Sequence, residues 1–153
     1  MKKKYLFFAA FSVIITSCLC QFFNKVGLDS WYIQIQKPAI TPPNYVFPIV
    51  WNILYLLLAT SFYKILISRK NKKRAIKLYL YQLTLQVMWC VTFFAMKSFL
   101  GGTIILIAMN ILAKEMMKEF KKIDRKTPLL LLPYNIWIFY ALLINLSFVA
   151  TTL

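Results

Sequence analysis

The sequence predicts an all-α membrane protein, a single bundle of five transmembrane helices. Three observations predict it. Hydrophobic residues make up 61% of the 153-residue chain, and a water-soluble domain this apolar would lack the polar surface to cover itself. The formal charge of +15 is confined to short blocks that separate long uncharged runs. A nucleic-acid-binding domain would instead carry its basic residues on one folded face, interleaved with polar positions. Finally, five crossings put every Lys and Arg but Lys25, Lys37 and Lys97 on one side.

A helix needs about 20 apolar residues to cross the hydrocarbon core. Tyr5 to Phe23, Tyr45 to Tyr63, Leu78 to Met96 and Leu129 to Leu153 meet that length without a charge. Phe99 to Ala113 is short, and reaches Met117 only if Lys114 and Glu115 sit at the interface with the lysine snorkelling outward. The charges support this weak span. Lys2 to Lys4, the block from Lys64 to Lys77 and the block from Lys114 to Lys126 share a side only if the fourth segment crosses. By the positive-inside rule that side is cytoplasmic, so the N-terminus lies inside and the C-terminus outside, in what reads as a bacterial cytoplasmic membrane. Met1 to Cys20 also resembles a signal peptide, with a lipoprotein-like box before Cys18. The apolar stretch continues to Phe23, long enough to span, and favours an uncleaved helix.

The inventory excludes much chemistry. There is no His, which removes the commonest general base and metal ligand. Asp29, Glu115, Glu119 and Asp124 are the only carboxylates, and none interrupts an uncharged run. Cys18, Cys20 and Cys90 have neither disulfide-framework nor zinc spacing, and read as small apolar helix residues; no metal and no cofactor is expected. Without intramembrane charge or inverted repeats, a proton relay, an ion path and a transporter are all disfavoured.

The loop Asn24 to Asn44 differs from the other, basic connections. Trp31, Tyr32, Lys37, Pro38, Pro42 and Pro43 give it stiffness and something to pack with, so it reads either as an ordered lid or as an interfacial aromatic belt. Thr41 with Pro42, and Thr127 with Pro128, have the pattern of helix starts, while Pro48 and Pro133 are expected to kink their helices.

Residues three and four apart share a helix face. The second span thus groups Pro48, Trp51, Tyr55 and Phe62, with Asn52 beside them; the third groups Gln82, Gln86, Trp89 and Phe93. The fourth aligns Thr103, Leu106, Asn110 and Ala113, and the fifth Pro133, Trp137, Ala141, Asn145 and Phe148, flanked by Tyr134 and Tyr140. Such faces point inward, either as interhelical glue or as the wall of a ligand pocket. Bulky rings on three of the four stripes hold helices apart and favour the pocket, for a flat and mostly apolar ligand.

Trp31-Tyr32, Gln36-Lys37-Pro38, Pro42-Pro43, Val50-Trp51 and Leu54-Tyr55 resemble the translocator protein family, also called tryptophan-rich sensory proteins (TspO/MBR). Leu85, Trp89 and Phe93-Phe94 continue the resemblance, and Leu132-Pro133-Tyr134, Trp137, Tyr140-Ala141 and Asn145 close it. The resemblance covers nearly the whole chain and implies a five-helix bundle, often homodimeric, that binds porphyrins between its helices under the first loop. It implies cavity roles for Trp51 and Trp137, which in some bacterial members are linked to light-dependent porphyrin breakdown, and ligand contacts for Tyr32, Pro42 and Ala141. Departures from the family pattern are Gln86 for Asn, Ile40 for Trp and Ile105 for Asp. The sterol motif is absent, with Leu146 in place of its Tyr, which counts against a sterol partner. The expected function is therefore a sensory or regulatory porphyrin-binding protein, with porphyrin degradation as the enzymatic alternative. Trp51 and Trp137 would be its only candidate agents. Gln86 and Asn145 are expected to supply hydrogen bonds, and Lys37 to meet a propionate.

Overall fold

The computed structural model describes residues 2–152, and all regular structure among them is helical. Five helices are long and apolar enough to cross a membrane. Helix α1 spans Lys2–Gly27 and widens into a π-type turn at Leu28–Tyr32; α2 spans Val46–Ile67. Helix α3 spans Lys73–Cys90 and ends in a second π-type turn at Val91–Ala95; α4 spans Phe99–Ile123 and α5 Thr127–Thr152. The helices close into a ring in the order α1, α2, α5, α4, α3. Leu, Ile and Phe side chains such as Phe7, Phe11, Ile14, Ile53, Leu56, Ile104, Ile111 and Ile136 stand exposed around it, the surface that lipid requires. The chain is a multi-pass integral membrane protein.

Several element boundaries differ from the sequence expectation. The lid does not begin at Asn24, because α1 and its π-type turn continue to Tyr32. Close packing allows this. A Cβ on Gly27 would stand 2.9 Å from the Phe94 carbonyl oxygen and 2.7 Å from its ring, and the Trp31 indole donates to that same carbonyl at 2.8 Å. The tip of α1 is thereby fastened to the end of α3. Thr41 does not cap α2, which starts five residues later at Val46; the Thr41 and Val46 amides bond instead to the Pro38 and Pro43 carbonyls at 2.9 and 3.0 Å. Pro48 consequently falls in the first turn of α2, where no backbone donor is needed, and breaks nothing. Helix α5 runs on through Pro133.

The fourth span also runs further than expected: α4 continues to Ile123, six residues past Met117. Its charged last turns are held from outside the helix. Lys70 Nζ donates to the carbonyls of Lys122 and Ile123 at 3.0 and 2.9 Å, filling acceptors that a helix C-terminus leaves open. Arg74 reaches Glu119 at 3.2 Å and Glu115 at 3.6 Å, and Lys64 reaches Asp124 at 3.9 Å. Lys72 sits over the Tyr5 ring at 5.5 Å, beside the basic N-terminal turn. All three basic blocks therefore meet at one end of the bundle, as five crossings demand. Asp124 accepts the Lys126 amide at 2.8 Å in the turn before α5, and that bond holds its carboxyl below the usual range despite some desolvation.

The basic half of the bundle is filled. The Phe62 and Tyr79 rings stack at 3.7 Å with 12° between planes, in one buried cluster with Ala9, Ala75 and Ala113. Ser12 gives its proton to the Ala9 carbonyl at 2.8 Å and accepts one from the Tyr79 hydroxyl at 2.9 Å. Gln82 donates to the Tyr134 hydroxyl at 2.7 Å, and Asn110 bonds the Leu106 and Ile138 carbonyls at 2.8 and 3.2 Å, joining α4 to α5. These polar side chains are glue.

Candidate functional site: a cavity in the half opposite the basic end

Above the filled half the helices part around a cavity of about 650 Å³. Each wall is a stripe of one helix. Helix α2 contributes Phe47, Pro48, Trp51, Asn52 and Tyr55; α3 contributes Gln86, Trp89, Cys90 and Phe93; α5 contributes Ala141, Ile144, Asn145 and Phe148. Tyr32, from the tip of α1, closes the top. Helix α4 contributes nothing to the wall. Its Thr103 hydroxyl and the Phe99 carbonyl instead accept from Asn145 Nδ2 at 2.9 and 2.7 Å, fixing that amide from behind.

The wall rings meet in mixed geometries, tilted, edge-on and stacked. Trp51 lies 5.5 Å from Tyr55 and 6.4 Å from Tyr134, and Trp89 stacks on Phe93 at 5.4 Å. Phe93 belongs to a second cluster, with Trp31, Tyr32, Phe99 and Phe148, that roofs the cavity; Phe99 and Phe148 stack at 5.1 Å. Three buried polar atoms on the walls have no hydrogen-bond partner: the Trp89 indole N–H, Gln86 Oε1 and Asn24 Oδ1. Buried polar groups are ordinarily paired, so one donor and two acceptors left open on one cavity suit a ligand that brings the complementary groups.

Tyr32, Trp51, Tyr55, Gln86, Trp89, Phe93, Ala141 and Asn145 are brought together on the walls. Pro42 and Trp137 are not. Trp137 packs edge-on against Phe47 at 5.9 Å and against Tyr140 at 5.6 Å, and is not among the residues that line the cavity. The lid residues divide as well. Trp31 is buried against the end of α3, while Lys37 and Pro38 line a separate hollow of about 630 Å³ between the loop and Phe99, Phe148, Thr151 and Thr152. Lys37 lies 4.6 Å over the Tyr32 ring and donates to Asn44 at 2.9 Å, which ties the loop down over the roof. The Tyr140 hydroxyl donates to the Ile40 carbonyl from α5.

Sequence reasoning missed the α1 wall: Ser17, Cys20, Gln21, Asn24, Lys25 and Leu28. The signal was present, since Ser17, Gln21, Asn24 and Leu28 recur at intervals of four, three and four on a helix whose other faces are apolar. Lys25 and Asp29 put charge at the mouth that the inward-stripe argument had left out. Among the described residues, no group of His, Cys, Asp and Glu is arranged to hold a metal ion.

Comparison with known proteins follows the same residues. The TspO/MBR family model matches residues 8–150, from the first turns of α1 almost to the end of α5. Tryptophan-rich protein TspO of Chlorobaculum tepidum is 33% identical over 122 residues, covering 77% of each chain. Tryptophan-rich protein TspO of Archaeoglobus fulgidus is 32% identical over 130 residues, covering 82% of each. Protein CrtK of Rhodobacter capsulatus is 26% identical over 144 residues, covering 90% of this chain and 89% of that one. A five-helix bundle with an aromatic cavity and a match along nearly its whole length place this chain in the TspO/MBR family.

Proposed function

We propose that the cavity binds a flat, largely apolar tetrapyrrole of the porphyrin type, and that the protein serves a sensory or regulatory role in the membrane. The observation that carries this reading is the cavity itself. Its volume lies within the range of about 300–1,000 Å³ usual for small-molecule sites, its walls are rings, and its few open polar atoms are fixed. Trp51, Tyr55, Trp89 and Phe93 offer faces for stacking; Gln86 and the Trp89 N–H offer hydrogen bonds. Lys25 at the mouth, with Lys37 over the roof, would meet the propionates of a porphyrin, whose anionic end then stays at the headgroup level. The protein acts as a homodimer, with its N-terminus cytoplasmic and its C-terminus outside.

Titration of the protein in nanodiscs with protoporphyrin IX, followed by Trp fluorescence, tests this. Saturable quenching is expected. Trp51→Ala removes a cavity wall worth about 1.5–3 kcal/mol, or roughly 10- to 100-fold in affinity, whereas Trp137→Phe stays near wild type. Equal affinity in the Trp51 variant and the wild type contradicts stacking in this cavity.

The alternative is oxidative porphyrin breakdown, for which the indole of Trp51 on the cavity wall is the one favourable observation. Illumination of the complex separates the two. Binding alone leaves the porphyrin band as stable as in a Trp51→Phe control; breakdown bleaches it with new bilin-like absorbance that the control lacks.

A further inference from the structure

The ligand-binding reading leaves one cluster on the wall unused. Cys20 on α1 and Cys90 on α3 both line the cavity, and each is almost fully enclosed, with relative exposures of 4% and 1%. Tyr55 and Gln86 line the same chamber as the two thiols. The Cys20 thiol points at the Gln86 carbonyl, 3.8 Å away, one helical turn before Cys90 on the same face of α3. Cys18, by contrast, stands exposed on the outer face of α1 and has no part in this cluster. Two thiols on facing helices, reached only through an apolar chamber, are placed for chemistry with an apolar reagent.

We propose that Cys20 and Cys90 form a peroxidatic dithiol whose oxidant is an apolar organic hydroperoxide, such as an oxidised acyl chain, arriving through the cavity. The Cys20 sulfur attacks the distal oxygen of the hydroperoxide. The O–O bond breaks, the alkoxide leaves with the Cys20 proton as an alcohol, and Cys20 becomes a sulfenic acid. The Tyr55 hydroxyl, on the same cavity wall, is the proton-bearing group available to relay that proton. The Cys90 sulfur then attacks the Cys20 sulfur, an S–S bond forms, and the S–O bond breaks to release water carrying the Cys90 proton. The two thiols lose two electrons, which reduce the hydroperoxide to alcohol and water. The bridge staples α1 to α3 across the cavity wall. It lies in the half opposite the basic end, the outward-facing half by the positive-inside rule, where disulfides persist.

The test uses the full chain in nanodiscs, free of porphyrin, so its outcome stands apart from the binding reading. The protein is exposed to cumene hydroperoxide or to hydrogen peroxide, alkylated, and weighed intact. Cumene hydroperoxide is expected to protect two of the three thiols, with a Cys20–Cys90 cross-linked peptide on digestion and recovery of both thiols after dithiothreitol. Hydrogen peroxide is expected to act more slowly at equal concentration. Cys18→Ser should leave the reaction unchanged, and Cys20→Ser should abolish it. Three alkylated thiols after cumene hydroperoxide, pairing through Cys18, or equal rates with the two peroxides would overturn the proposal. Reversal on the wild-type chain decides the matter even if the Cys20 variant does not fold.

Discussion

The two halves of the bundle are built from the same residue types and do opposite things with them. Toward the basic end, Phe62 and Tyr79 stack face to face at 3.7 Å inside a buried cluster that includes alanines of α1, α3 and α4. The polar atoms of Ser12, Tyr79 and Asn110 are engaged by neighbouring helices, and Gln82 donates to Tyr134. At the other end, Trp51, Trp89 and Phe93 line a chamber instead of filling it, and the walls part. Three polar atoms on the cavity walls, the Trp89 indole N–H, Gln86 Oε1 and Asn24 Oδ1, have no partner, against Gln82 Oε1 within the filled half. A ring thus makes a core or a cavity according to what faces it, and the difference can be pressed by substitution.

The largest effect is expected in the filled half. Phe62→Ala leaves a void under Tyr79 and should cost about 3–5 kcal/mol, seen as a fall in the thermal midpoint in detergent. Porphyrin affinity of the folded fraction should hardly change. Trp89→Phe is the reciprocal experiment. It keeps a ring on Phe93 and removes one unpaired donor, so stability should hold or rise slightly while affinity drops by about 1 kcal/mol, roughly fivefold. A stability loss without an affinity change would place that indole in the core and not on the site.

The smallest effect lies at the basic end. The Asp124 carboxyl is held below its ordinary pKa, chiefly by the Lys126 amide. Its ionised form is favoured by folding, so its contribution is complete above the unfolded-state pKa and fades as pH falls through the lower folded value. Thermal midpoints recorded across the acid range should show this slope in wild type and a shallower one in Asp124→Asn.

The helices themselves were legible because lipid imposes a length on each and charge marks their ends. Even the weak fourth span was recoverable from Lys114 to Lys126, though its true end at Ile123 was not, since Lys70 before α3 and Arg74 in its first turn reach across to hold the last turns. Thr41 with Pro42 looked like a helix start, but the loop spends those residues on a tight turn bonded to Pro38, and the helix waits until Val46. Most cavity residues could be read from three- and four-residue spacing. Trp137 shows the limit of that method: periodicity places it on the α5 face bearing Ala141 and Asn145, but its ring packs edge-on against Phe47 and is not among the residues that line the chamber. The α1 wall carries a weaker signal, because Ser17, Gln21 and Asn24 bear no large ring and sit on an otherwise apolar helix.

One substitution addresses the vacancy most directly. Ala141 is a small residue on the α5 wall, and Ala141→Phe would push a ring into the chamber. Titrated with protoporphyrin IX in nanodiscs, that variant should lose saturable quenching while its thermal midpoint stays near that of the wild type. Wild-type affinity in a folded Ala141→Phe protein would mean that the ligand sits elsewhere.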